Sequence, residues 1–274
     1  MPRRTAPATS PWLGIASLCL RELVRFFRQR NRVIGALGQP ILFWILFGFG
    51  FGSSFRIQPA GGDQVSYFQY YFPGTLALIL LFTAIFTTIS IIEDRREGFL
   101  QSVLVAPLPR WAMVLGKVLG GSLIAVGQGV LFLLLGLTID LPFSVPQLVA
   151  VTAFMLLVAS GLTALGFFFA WRLDSSQGYH AIMSVLLFPM WLLSGAFFPA
   201  GDNWLGWVML ANPFTYAVAG LRRLLYWQLS DQAAAVNALP SFTVCLVVTV
   251  AFTGICFCFA WRSALRTTKG DLLS

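Results

Sequence analysis

Glu93-Asp94-Arg95-Arg96-Glu97 sets both signs of charge side by side, and Gly98-Phe99-Leu100 then leads through Pro107 and Pro109 to Lys117. This is the densest charge in a chain that is 58% hydrophobic, and it lies between two long apolar runs. Carboxylates and guanidiniums in such a cluster suit ion pairing and docking rather than bond-making chemistry. The expectation is a handle offered to a soluble partner. Residues for bond-making are missing elsewhere. Gly116-Lys117 is followed by Val118, so no G-x-x-x-x-G-K-[ST] phosphate loop exists, and there is no H-E-x-x-H pair or nucleophile elbow. The chain cannot hydrolyse ATP by itself. His180 stands alone as an interfacial polar residue, and Cys19, Cys245, Cys256 and Cys258 lack metal-site spacing.

The elements that must position this stretch are set by composition. A mean hydropathy of +0.80 with 10% charged residues describes a polytopic membrane protein, because a soluble surface needs far more charge. The net charge of +8 would suit nucleic acid, but cytoplasmic loops of a membrane protein give the same excess, and the apolar runs favour that reading.

Residues 1–10 read as a disordered N-terminus. Arg3-Arg4 before Trp12–Leu20 has the outline of a signal peptide, yet Arg21, Arg25, Arg28, Arg30 and Arg32 follow with no small-residue cleavage site. Residues 11–32 read instead as an amphipathic interfacial helix. Arg21, Arg25, Arg28 and Arg32 form one basic stripe, expected to face anionic lipid, with Trp12, Ala16, Cys19, Leu23 and Phe27 opposite it in the acyl boundary.

A crossing needs roughly 20 apolar residues. Six segments qualify: Val33–Gly52, Phe72–Ile92, Met113–Ile139, Gln147–Trp171, Ala181–Phe198 and Phe242–Trp261. With residues 33–261 as the transmembrane domain, 262–274 as a tail and both ends cytoplasmic, only Arg56, Arg222 and Arg223 fall outside. That asymmetry orients the chain. Phe169-Ala170-Trp171-Arg172 and Phe259-Ala260-Trp261-Arg262 each close a span at the inner interface. Residues 203–221 are nearly as apolar as a span, but Asn212-Pro213 breaks them midway, and Asn203, Trp204 and Trp207 look interfacial. A re-entrant hairpin on the outer side is expected there. The pairs Gly48/Gly52 and Gly116/Gly120 have G-x-x-x-G spacing and read as helix packing. No Asp or Glu lies mid-span, which disfavours a proton- or cation-coupled transporter.

Between the second and third spans, Leu100, Val103, Leu104 and Pro107 share one side of a short helix that Pro107 and Pro109 end. Physics alone leaves two readings open: a connector lying on the bilayer, or a helix that docks in a partner's groove.

The run E-D-R-R-E-G-F-L-Q-S-V-L-V-A-P-L-P-R-W-A-M-V-L-G-K resembles the signature loop of ABC-2 type permeases, the membrane subunits of one class of ABC exporter. Glu93, Glu97, Gly98, Leu100, Leu104, Pro107, Gly116 and Lys117 match its pattern, while Phe99 stands for the usual small hydroxyl residue and Gln101 for a frequent acid. Ser194-Gly195-Ala196-Phe197-Phe198-Pro199 with Asn212-Pro213-Phe214-Thr215-Tyr216 and Leu221-Arg222 is similar to the family's fifth span and outer re-entrant segment, although Ala219-Gly220 stand where members often carry an acid.

The resemblance implies an all-α membrane protein of six transmembrane helices, a cytoplasmic coupling helix at 93–109 and an outer re-entrant hairpin. It implies an exporter of two permease copies and two nucleotide-binding ATPase subunits in a prokaryotic inner membrane. ATP and Mg would sit on the ATPase, with no cofactor or metal on this chain and no nucleic-acid partner. Glu93, Arg96, Glu97, Gly98, Leu100, Leu104 and Pro107 would couple to the ATPase, the two glutamates pairing with its basic residues and the two leucines filling its pocket. Asn212, Pro213, Tyr216 and Arg222 would form the outer motif. Charge-poor spans suit an amphipathic or lipid-linked cargo. An ATP-independent pore or scaffold, and a secondary transporter, are the competing readings.

Overall fold

In lipid no water satisfies backbone N–H and C=O groups, so an apolar chain must pair them within each segment, and a helix does this. The computed structural model describes residues 10–52, 67–139, 141, 143–197, 204–227 and 239–266. All regular structure among them is helical. The helices are α1 (Pro11–Arg28), α2 (Arg30–Gly52), α3 (Tyr67–Thr87), α4 (Ile89–Arg96), α5 (Phe99–Val105) and α6 (Arg110–Leu133). A 3-10 turn, Leu134–Ile139, extends α6; then come α7 (Val145–Ala170), α8 (Ser176–Leu192), α9 (Trp204–Ala211), α10 (Pro213–Leu225) and α11 (Phe242–Leu265). The expected N-terminal disorder at 1–9, most of the loop after α2, and the tail beyond Arg266 lie outside the described residues.

Among the described residues, four helical runs are long and apolar enough to cross a membrane: Tyr67–Arg96, Arg110–Ile139, Val145–Ala170 and Phe242–Leu265. The other two segments expected to cross hold α2, apolar over Pro40–Gly50, and α8 at 17 residues, neither of which is among those four runs. The first run is longer than the Phe72–Ile92 expected. Thr88 interrupts it with a single turn, its hydroxyl on the Ile85 carbonyl at 2.6 Å and against the Tyr179 hydroxyl at 2.7 Å. Helix then resumes through Arg96. α3 is the hub, buried along nearly its whole length, with Phe72, Leu76, Ile79, Leu80 and Ile85 inaccessible to solvent.

α1 packs directly on α6 through the Gly116/Gly120 pair. A Cβ added at Gly120 would stand 2.7 Å from the Cβ of Glu22, and one at Gly116 3.0 Å from that of Leu18. Small residues at i and i+4 thus let two backbones meet, as in membrane helix pairs. The α1 face that is buried carries Ile15, Leu18, Glu22 and Phe26. Trp12, Leu13, Leu20 and Phe27 remain exposed on the other side. Gly48, from the other G-x-x-x-G pair, receives the ring of Phe68.

At the end opposite α4 the chain does break at Asn212. α9 and α10 have 8 and 13 residues, or about 12 and 20 Å of helix. Neither alone covers a hydrocarbon core of ~30 Å.

Gly120→Val should therefore lift α1 from its seat. It is expected to cost about 1–3 kcal/mol, as overpacking does, read as a lower Tm in mild detergent. Cys19 lies beside this contact, and burial, followed by the charge of Glu22, raises its pKa. In a variant with the other cysteines replaced by Ser, Gly120→Val should make Cys19 react several-fold faster with a maleimide. Unchanged labelling would mean that α1 is not seated at Gly120.

Candidate functional site

α4 ends where its charge is densest. The Glu97 N–H donates to the Glu93 carbonyl at 2.9 Å, and Gly98 follows with φ +77°. That left-handed turn costs an L-residue with a Cβ about 1 kcal/mol or more, which glycine avoids. It folds α5 back as the second arm of an elbow. Leu100 is the inward anchor of α5, only 2% exposed in the chain's own core. Val103 and Leu104 pack partly against that core. Ala106 is extended, as the residue before a proline must be, so α5 stops at Val105. Val105 is 84% exposed, and Ala106 and Pro107 are exposed beside it. These residues form the projecting tip.

Beneath the elbow lies an ion cluster built by three helices. Asp94 on α4 has no solvent exposure. Arg21 on α1 grips it with both nitrogens, at 3.0 and 2.7 Å, and Arg25 adds a third donor at 2.7 Å. Lys117 on α6 also donates to Asp94 and reaches Glu22 on α1 at 2.5 Å. Arg25 continues to Glu93 at 2.8 Å and, more loosely, to Glu97 at 3.4 Å. The Arg21 guanidinium lies 3.6 Å over the Phe99 ring, which joins α5 to the same cluster. Burial works against charge on Arg25, but the carboxylates of Asp94, Glu93, Glu97 and Glu22 outweigh it and hold its pKa above the ordinary arginine value.

A second clamp holds the outer side of α4. Arg95 donates to the Asp174 carboxylate at 2.8 Å and to the Trp171 carbonyl at 2.5 Å, and Arg96 to the Asp174 carbonyl at 2.7 Å. The elbow's base is thereby fixed to α1, α6 and the α7–α8 connection at once.

The far end uses a different device: side chains satisfy carbonyls of broken helices. The Asn212 amide nitrogen donates to Met190 and Leu193 carbonyls at 2.6 and 3.0 Å, while its oxygen caps α10 by accepting from the Phe214 N–H at 3.0 Å. Pro213 takes the first helical position, where its missing N–H costs nothing. Tyr216 donates to the Leu210 carbonyl at 3.0 Å. Arg222, 3% exposed, donates to the Tyr70 and Gly195 carbonyls at 3.2 and 3.1 Å and lies 4.2 Å over the Tyr70 ring.

Several sequence expectations change here. The second span is expected to end at Ile92, yet Asp94 beyond it is wholly buried because α4 continues the α3 run into the packed bundle. The Arg21/Arg25 part of the basic stripe faces carboxylates of α4 rather than lipid; Arg28 is exposed, and the Arg32 side chain lies outside the described residues. Glu93 pairs within the chain, and Glu97 keeps most of its surface free. Leu100 faces inward and is not part of any exposed surface. Arg222, expected in the outer motif, is a buried donor. The sequence reading missed Glu22, Asp94 and Lys117 as a set. Its available signal was Glu22 falling on the same helical face as Ile15, Leu18 and Phe26, since a carboxylate on an apolar face needs a buried cation.

The profile of the ABC-2 type transporter family matches residues 14–226. A transport permease of Cyanophora paradoxa, ycf38, is 29% identical over 214 residues, covering 76% of this chain and 72% of its own. The inner membrane transport permease YadH of Escherichia coli is 27% identical over 256 residues, covering 92% and 96%. YbhR of Escherichia coli, named as a multidrug ABC transporter permease, is 27% identical over 159 residues, covering 56% and 42%.

Asp94→Ala would leave Lys117, Arg21 and Arg25 facing a buried void. Breaking a buried pair from one side costs about 3–5 kcal/mol, so the variant should lose most of its folded yield and show a sharply lower Tm in detergent. Glu97→Ala, at the exposed end of the same cluster, should change Tm by less than about 1 kcal/mol equivalent. Equal effects at the two positions would refute the burial argument.

Proposed function

This chain belongs to the ABC-2 type transporter family, and from that premise we propose that it is the permease subunit of an exporter driven by a separate ATP-hydrolysing subunit. The observation that carries this reading is the elbow of α4 and α5. Its tip at Val105, Ala106 and Pro107 stands in solvent, while its base is tied to three other parts of the bundle. A nucleotide-binding subunit that grips the tip pushes on a lever, not on a loose loop. Leu104 borders that tip and Pro107 belongs to it, while Arg96, Glu97 and Gly98 stand at the turn of the elbow, where Glu97 supplies a carboxylate for a basic residue of the partner. Leu100 and Glu93 serve from within, as anchor and brace.

In this reading two permease copies and two ATPase subunits assemble in a prokaryotic inner membrane, with ATP and Mg on the ATPases and no cofactor on this chain. α2 and α8 join the four long runs to make six crossings with both termini cytoplasmic. α9 and α10 form the outer re-entrant hairpin, each being too short to span. α1 lies at the inner interface with Trp12, Leu13, Leu20 and Phe27 toward acyl chains. ATP-driven closure of the ATPase pair moves both elbows, and through the ion cluster α1 and α6 move with them. Cargo in a charge-poor path is amphipathic or lipid-linked, a class that includes drugs such as the name of YbhR implies for that protein.

Val105→Glu places charge at the tip without touching the core. It is expected to abolish co-purification of the ATPase and lower the ATPase activity of isolated complexes at least ten-fold, with Tm of the permease unchanged. Leu100→Ala should do the reverse, lowering Tm by the equivalent of about 2–5 kcal/mol. Normal ATPase association of folded Val105→Glu protein would sink the docking assignment.

A further inference from the structure

The arginines that end the repeated tetrapeptides, Arg172 and Arg262, have no part in the coupling device. They meet in space. A cavity of about 190 Å³ lies between the ends of α7 and α11, lined by Phe168, Arg172, Phe259, Arg262, Ser263 and Arg266. α11 contributes residues at i, i+3, i+4 and i+7, so they share one helical face. Phe168 and Phe259 form the floor, with ring centroids 5.7 Å apart, and the Arg172 guanidinium lies 4.1 Å over Phe168.

Among the described residues these three arginines meet no carboxylate. Every acidic side chain among the described residues is already ion-paired: Glu22 with Lys117, Glu93, Asp94 and Glu97 with Arg25, and Asp174 with Arg95. Arg172, Arg262 and Arg266 have no ion-pair partner among the described residues. Helix dipoles and the charge asymmetry of membrane proteins place cations at such helix ends. Neither makes residues 90 positions apart converge on one cavity with an aromatic floor.

The cavity sits at the same end of the bundle as the ion cluster, because Arg95 of that end binds the Trp171 carbonyl and Asp174. Its outer wall continues as the membrane-length helix α11, whose Ile255, Phe259, Trp261 and Leu265 are exposed apolar side chains. A group bound here therefore meets guanidiniums at one end and a lipid-facing surface at the other. Guanidinium forks match phosphate oxygens, and basic pockets between membrane helices hold anionic headgroups. We infer that this cavity binds the phosphodiester headgroup of an anionic phospholipid, its acyl chains lying along α11. The inference stands apart from the ATPase coupling and does not depend on it.

The test uses the full chain purified in mild detergent. Dioleoylphosphatidylglycerol, dioleoylphosphatidylcholine and inorganic phosphate are titrated separately, with Tm and retained lipid by native mass spectrometry as readouts. Phosphatidylglycerol should bind saturably and raise Tm, while phosphatidylcholine should not. Each of Arg172→Gln, Arg262→Gln and Arg266→Gln should weaken that binding about five-fold, with the lipid-free Tm unchanged. Wild-type affinity in the triple variant, or equal binding of phosphatidylcholine, overturns the site. Stabilisation by inorganic phosphate equal to that by phosphatidylglycerol overturns the lipid assignment in favour of a free anion. If the triple variant fails to fold, Arg266→Gln, exposed just past the end of α11, decides alone.

Discussion

A carboxylate without solvent contact must be held by cations, and Asp94 is held by three of them from two other helices. This single constraint ties α1, α4 and α6 together. α1 cannot drift in the plane of the membrane while Arg21 and Arg25 reach Asp94. α4 cannot turn about its axis without breaking both those bonds and that of Lys117. Such a cluster is a poor source of net stability, since desolvating its members costs several kcal/mol each (~) before their attraction is counted. What it supplies is register. Apolar packing alone would let α1 slide along the Gly116/Gly120 groove by a turn, whereas the Glu22–Lys117–Asp94 chain of contacts admits one position.

The two ends of the bundle solve the same electrostatic difficulty in different ways. At the α4 end, opposite charges neutralise one another. At the other end Asn212, Arg222 and Gln147 donate to backbone carbonyls at or near helix ends; the Gln147 amide meets those of Leu224 and Leu225 at 3.0 and 2.7 Å. Broken helices are tolerated in a bundle only where such donors are built in. Arg222 thus closes the top of the packed core around Tyr70 and Gly195, while Asn212 fixes where α9 hands over to α10.

Much of this was legible in the sequence. Apolar length located the long helices, and Asn212-Pro213 marked the break because proline cannot continue a helix interior and asparagine caps the next one. Pro107 bounded the end of α5 in the same way, whereas the left-handed turn at Gly98 divides the single helix expected at 93–109 into two arms and was not foreseen. Partner choice was not legible. The spacing of Arg21, Arg25 and Arg28 fixes that they share a stripe, but a stripe can face headgroups or a neighbouring helix, and only tertiary packing decides. Leu100 and Val105 show the same limit. Both are apolar residues of one seven-residue helix, one buried as anchor and one exposed as tip; periodicity puts Leu100 on a side without Val105, but it does not say whether that side faces a partner or the chain's own core.

The chain's arginines then divide by what is left to neutralise them. Arg21, Arg25 and Arg95, with Lys117, absorb the acids of the described bundle and turn charge into internal geometry. The arginines around the α7–α11 cavity are exposed and have no acid partner among the described residues, so part of the excess behind the net charge of +8 is concentrated on that surface. Opposite charges gathered about the buried Asp94 are little screened by salt, whereas an exposed cationic pocket is governed by the membrane's surface potential. The same residue type therefore makes one part of this molecule independent of its membrane and another part answerable to it.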